Sequence, residues 1–201
     1  MNQKSPAINL KRIEWLIHYN YQHRRPYASF FEWKNPKNPD LAKKVKERSV
    51  ARELVKSLEE DSGRVLFKVL RYGEDPPDVV GIEPDGKEVG FEVTELVSSE
   101  AIAANSMARK AMYYRKWMFE EVVFHLESII EEKSAKLSRS PHGRNILVIH
   151  TDEPEIRGRF HEYESALGKH CFRQRPYIDE AYLLFSYFPG RKTYPYLRLN
   201  F

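Results

Sequence analysis

Asp78 and Glu92 stand on either side of a strong turn signal. The segment reads Pro77-Asp78-Val79-Val80-Gly81-Ile82, then Glu83-Pro84-Asp85-Gly86-Lys87, then Glu88-Val89-Gly90-Phe91-Glu92-Val93-Thr94. Pro84-Asp85-Gly86 suits a three-residue hairpin loop, with Pro presetting the first dihedral and Gly taking the left-handed position. That loop opposes Glu83 to Lys87, Ile82 to Glu88, Val80 to Gly90 and Asp78 to Glu92. Opposed side chains on antiparallel strands lie about 4.5–5.5 Å apart on one face, so two carboxylates would meet there and repel. A hard divalent cation, which takes carboxylate oxygens, is the functional way to neutralise them. The alternatives are ordinary solvated acids on a frayed hairpin, or a two-residue Asp85-Gly86 turn that would send the two acids to opposite faces.

The elements around the hairpin bear on this choice. A helix is expected from Asp40, as N-cap, to about Glu60, with Ser62-Gly63 ending it. Laid out at roughly 100° per residue, its apolar stripe runs through Val50, Ala51, Leu54, Val55 and Leu58, and Glu47 falls inside that stripe. A carboxylate on a core-facing stripe is costly without a partner. Glu47 therefore points toward the sheet to join Asp78 and Glu92, unless its place near the helix start lets it escape to solvent. Strands are expected over Arg64–Arg71, Val79–Glu83, Lys87–Val93, Asn145–Thr151, Ala181–Tyr187 and Tyr196–Phe201. A long helix should run from Ser98 or Ser99 to about Leu137, and a short one over Phe160–Ala166 should stop at Gly168. With a short N-terminal helix the order is α-α-β-β-β-α-β-α-β-β, an α/β fold with a mixed β-sheet flanked by helices. Residues 1–39 read as a basic, aromatic helix and arm, and 40–201 as the α/β domain.

A helical acid, Pro77-Asp78 entering one strand and Glu92-Val93-Thr94 on the next together resemble the PD-(D/E)xK, or restriction-endonuclease-like, nuclease superfamily. The resemblance covers roughly residues 40–151 and implies a core ordered α-β-β-β-α-β. It implies Mg²⁺ or Mn²⁺, one or two ions, held by Asp78 and Glu92, with Glu47 as an accessory acid. The family pattern places Lys two residues after the Glu, and this chain has Thr94, whose hydroxyl can hold a water or a phosphate oxygen but carries no charge. Some members of the superfamily supply the basic group from the following helix. Arg115 lies on the inward side of that expected helix and is the substitute, or it pairs with a sheet carboxylate such as Glu92; Lys68 is a second candidate. Arg115 would act as a charge clamp and never as a base. The implied activity is metal-dependent hydrolysis of phosphodiester bonds in nucleic acid, DNA ahead of RNA. The alternative is a catalytically inactive nuclease-fold protein that binds nucleic acid or a protein partner.

Composition agrees with a globular chain of 201 residues, 41% apolar and 31% charged. One cysteine, Cys171, excludes an internal disulfide. No apolar run approaches the roughly 18 residues of a membrane span, so no membrane partner and a cytoplasmic location are expected. The net charge of +4 hides an uneven distribution: +6 over residues 1–60, −6 over 61–100, +3 over 101–150 and +1 over 151–201. Arg24 and Arg25, set among the aromatics of Tyr19–Lys37, and the outward-facing Lys110 and Lys116 are the candidate nucleic-acid contacts. The aromatic segment would otherwise strap the domain or form the arm of a homodimer. His150, His161 and His170-Cys171 show no recognised transition-metal spacing, and no Walker A, G-x-G-x-x-G or G-x-S-x-G motif is present.

Overall fold

A computed structural model describes residues 39–101, 115–186 and 191–201. The N-terminal arm with Arg24 and Arg25, and Lys110 on the expected long helix, lie outside the described residues. Helix α1 spans Pro39–Ser62. Proline is suited to a first helical turn, and Asp40 falls inside that turn, where it complements the helix dipole instead of serving as N-cap. Gly63 (φ +66°) ends the helix, its N–H donating to the Glu59 carbonyl at 2.9 Å.

Strands β1 (Val69–Tyr72), β2 (Val79–Ile82) and β3 (Glu88–Glu95) form an antiparallel meander. Strand β1 begins later than expected because the Glu59 carboxylate accepts the backbone N–H groups of Leu66 (2.8 Å) and Phe67 (3.3 Å), holding them outside the sheet. Strands β3, β4 (Asn145–Thr151) and β5 (Glu180–Phe185) are parallel, and β6 (Tyr196–Leu199) closes the sheet antiparallel to β5. The six strands lie in sequence order. All seven residues of β4 are buried, as expected of a central strand covered on both faces.

The expected long helix is interrupted. Residues 115–118 are not helical, and α2 spans Phe119–Leu137. The Met118 N–H donates to the Glu121 carboxylate at 2.9 Å, giving α2 its own N-terminus. Two short helices, α3 (Pro154–Gly158) and α4 (Phe160–Leu167), follow β4; α3 is an addition to the expected order, opened by Pro154.

Each face of the sheet carries its own apolar core. On one, Val50, Ala51, Leu54 and Val55 of α1 meet Val79, Val89, Phe91, Ile146, Val148 and Leu184. On the other, Val122, Leu126, Ile130 and Leu137 of α2, with α3 and α4, meet Leu147, Ile149, Ala181 and Leu183. The architecture is thus α/β, a six-stranded mixed sheet flanked by helices. No helix among the described residues is long and apolar enough to cross a membrane.

The β1–β2 connection folds tightly at Gly73, whose N–H donates to the Asp78 carbonyl at 2.9 Å. A Cβ at Gly73 would lie 1.9 Å from the Pro77 carbonyl oxygen. Gly73→Ala is therefore expected to cost about 1–3 kcal/mol, read as a lower urea midpoint at unchanged m value.

Candidate functional site

The hairpin adopts the register read from its turn. Val79 opposes Phe91, Val80 opposes Gly90 and Ile82 opposes Glu88. The Glu83 N–H donates to the Lys87 carbonyl at 2.9 Å, and Gly86 holds φ +90°. One step beyond the last paired residues, Asp78 stands across from Glu92, and its Oδ2 accepts the Val93 N–H at 2.8 Å. Asp78 is buried and Glu92 is fully so, at 0% exposure. Buried Pro77 lies over Gly90, where an added Cβ would come within 3.0 Å of its ring. The absent side chain at Gly90 is what lets the Asp78 strand end sit down on β3.

Helix α2 supplies the counter-charge. Lys136 Nζ lies 2.6 Å from Glu92 Oε1, 2.6 Å from Asp75 Oδ1 and 3.5 Å from Asp78 Oδ1. Lys133 Nζ lies 3.3 Å from Glu92 Oε1. Three carboxylates thus face two ammonium groups. Burial, and then the charge of Asp78, push the Glu92 carboxyl above its ordinary range, against the pull of Lys136. Burial works against the charged form of Lys136, but hydrogen bonds to Asp75 and Glu92 and the charge of Asp78 outweigh it and hold its pKa above the ordinary lysine value.

Glu47 is buried on α1, as its place in the apolar stripe implied, with Lys43 Nζ 3.4 Å away. Burial first, and the Asp78 charge second, raise its pKa to about 7. Strand alternation puts Glu92 on the α2 face, whereas α1 covers the other face. Glu47 therefore reaches the field of Asp78 at the strand end and does not join Glu92, which corrects the expectation of a three-acid cluster. A different acid, Asp75 from the β1–β2 loop, completes the set: Asp75, Asp78 and Glu92 each offer an oxygen within 4.8 Å of the others.

The remaining expected site residues are dispersed. Arg115 sits in the non-helical segment before α2, bonded to Glu100 and Glu121 and stacked 4.5 Å over Trp117. That is the opposite end of α2 from Lys133 and Lys136, so Arg115 does not stand over the carboxylates. Lys68 donates to the Pro84 carbonyl at the hairpin tip, the far end of β2 from Asp78. Lys116 is exposed in the same non-helical segment as Arg115. Half-buried Thr94 lines a cavity of about 180 Å³ with Lys43, Lys46, Glu47, Glu95 and His150. Sequence reasoning missed Asp75, Lys133 and Lys136. The available signal was the i, i+3 pair of lysines flanking Ser134 in an otherwise acidic and apolar helix end.

Two tests follow from these charges. Glu47 holds its proton more tightly in the folded chain, about 7 against 4.5 unfolded, so its ionisation destabilises the fold increasingly as pH rises through that window. Without divalent cations, Glu47→Gln should match wild type below pH 4.5 and exceed it above pH 7 by on the order of 1 kcal/mol, because solvent screening tempers the full shift. Lys136→Met should cost about 2–4 kcal/mol at pH 8, by leaving buried Glu92 undercompensated, and a second change, Glu92→Gln, should recover most of it. Both are read from urea unfolding across pH.

Comparisons with protein-family models, with curated proteins and with solved structures found no match, so the functional reading rests on this geometry.

Proposed function

We propose that this chain is a divalent-cation-dependent nuclease that hydrolyses phosphodiester bonds in nucleic acid, DNA ahead of RNA. The observation that carries the reading is the meeting of Asp78 and Glu92 on adjacent strands beneath Lys136. The positive charge that the PD-(D/E)xK pattern places two residues after the Glu, and that Thr94 lacks, comes here from α2. The element order α1-β1-β2-β3-α2-β4 across residues 39–151 supports the same reading.

The carboxylates fit a hard cation. Glu92 Oε2 is buried and has no hydrogen-bond partner, and Asp78 keeps Oδ1 after Oδ2 takes the Val93 N–H. Asp78 and Glu92 would hold Mg²⁺ or Mn²⁺, and Asp75 would complete the oxygen set. When bound, such an ion supplies Lewis-acid polarisation of a phosphoryl oxygen and lowers the pKa of water. Lys136 stays protonated at all working pH values, so it acts as a fixed positive charge for the phosphate and not as a base. Asp75 holds the Lys136 ammonium in place. Glu47, buried on α1 and within the field of Asp78, would serve as an accessory acid beside the pair. Thr94, two residues past Glu92, shares its face of β3, and its hydroxyl would offer a hydrogen bond to a water or phosphate oxygen there.

A second reading is favoured by the same contact. Lys136, at 2.6 Å from Glu92 and from Asp75, already neutralises the pair internally. On that reading the chain binds nucleic acid or a protein partner without cutting. Cleavage of DNA and RNA by the full chain in Mg²⁺ or Mn²⁺, against chelator, separates the two. The nuclease should lose at least about 100-fold in rate in Asp78→Ala and in Glu92→Ala, and about 10²–10³-fold in Lys136→Ala. Salt-sensitive binding without cleavage would select the second reading, and cleavage that survives both carboxylate changes would overturn the first.

A further inference from the structure

We propose that Glu95, His150 and Asp152 form a second cation centre that takes a transition metal such as Zn²⁺ in preference to Mg²⁺. Nothing in this proposal depends on the nuclease reading.

The fold brings together three residues whose spacing in the sequence suggests no site. Glu95 and His150 are direct partners in the parallel β3–β4 register. Strand alternation places both on the α1 face of the sheet, where Val93, Val148 and Leu184 pack. Asp152 lies two residues beyond His150, and its Oδ1 is 3.6 Å from His150 Nε2. One ligand atom from each of the three lies within 4.8 Å of the others. His150 is 1% exposed and Asp152 6%.

Two further observations point to a ligand. Lys46 takes Glu95 Oε2 at 2.6 Å, which leaves Glu95 Oε1 buried and without a hydrogen-bond partner. Ser186 donates its N–H to the Thr151 carbonyl at 3.2 Å, which carries the β4–β5 register one step further and sets Ser186 across from Asp152. Two residues past Leu184, Ser186 falls on the same α1 face. It is fully buried, and its Oγ has no hydrogen-bond partner. A buried hydroxyl left unbonded costs free energy unless something else occupies the site. A metal-bound water or metal-held carboxylate beside Ser186 would satisfy it.

The donor set decides the metal. One imidazole nitrogen with two carboxylate oxygens suits Zn²⁺, Co²⁺ or Mn²⁺, whereas Mg²⁺ takes oxygens and keeps its waters. The 180 Å³ cavity that reaches Glu95 and His150 provides an entry path and room for exchangeable ligands. Bound metal would tie the ends of β3 and β4 together and so raise the unfolding temperature.

The test is a Co²⁺ titration of the full chain, followed by visible ligand-field absorption, with Zn²⁺ displacement and a thermal melt in parallel. One Co²⁺ should bind, resist an equal concentration of Mg²⁺, raise the melting temperature, and persist in the double variant Asp78→Asn/Glu92→Gln. His150→Gln and Glu95→Gln should each weaken it at least about tenfold. Glu95→Gln is near-isosteric at a half-exposed position, so it keeps the test decisive even if His150→Gln fails to fold. The proposal is overturned if wild type binds no Co²⁺, if equal Mg²⁺ displaces it, or if folded Glu95→Gln binds it as tightly as wild type.

Discussion

The period-two alternation of a strand, fixed by one turn, is the constraint on which the rest depends. Pro84-Asp85-Gly86 closes the hairpin with Glu83 opposite Lys87, and every later pairing follows. A slip of one residue would move Glu92 from the α2 face to the α1 face and carry Phe91 and Val89 out of their core. The same register therefore packs one hydrophobic layer and sets an acid from β3 beside the acid that leads into β2. Site and core are specified by one local piece of chain.

Placing those acids together creates an electrostatic demand that the hairpin cannot meet itself. The answer comes from a helix 44 residues away in sequence, through Lys136 bridging Asp75 and Glu92. Asp78 is the hinge of this arrangement. It stands where β2 and β3 part, so its charge is felt on both faces, raising Glu47 on one side and Glu92 on the other.

How much of this was legible follows from how local each cause is. The hairpin register was readable because turn chemistry acts within five residues. Strand β4 was readable because Ile146-Leu147-Val148-Ile149 has one plausible place in a covered sheet. The burial of Glu47 was readable from its helical phase. The counter-ion was not. A continuous helix through residue 137 would put Arg115 on its inward side, but residues 115–118 are not helical, and α2 restarts with a phase of its own set by Val122, Leu126 and Ile130. Lys133 and Lys136 gain their meaning only once α2 lies across β3. Asp75 precedes two prolines in a loop, and its role depends on how tightly that loop returns at Gly73. The Glu95–His150–Asp152 grouping arises only from parallel pairing of β3 and β4, which no sequence spacing announces.

The outer strands of the sheet carry a different consequence. Strands β1 and β6 are four residues each, and each leaves one edge of its backbone unmatched by another described strand. Arg71 on β1 is bound to Glu88, and exposed Arg198 on β6 lies 3.6 Å from Glu180. Short edges bearing fixed cations resist strand addition by another chain, because the newcomer gains few backbone bonds and must desolvate an arginine. The two edges of the described sheet thus disfavour fibrous stacking by extension of its ladder.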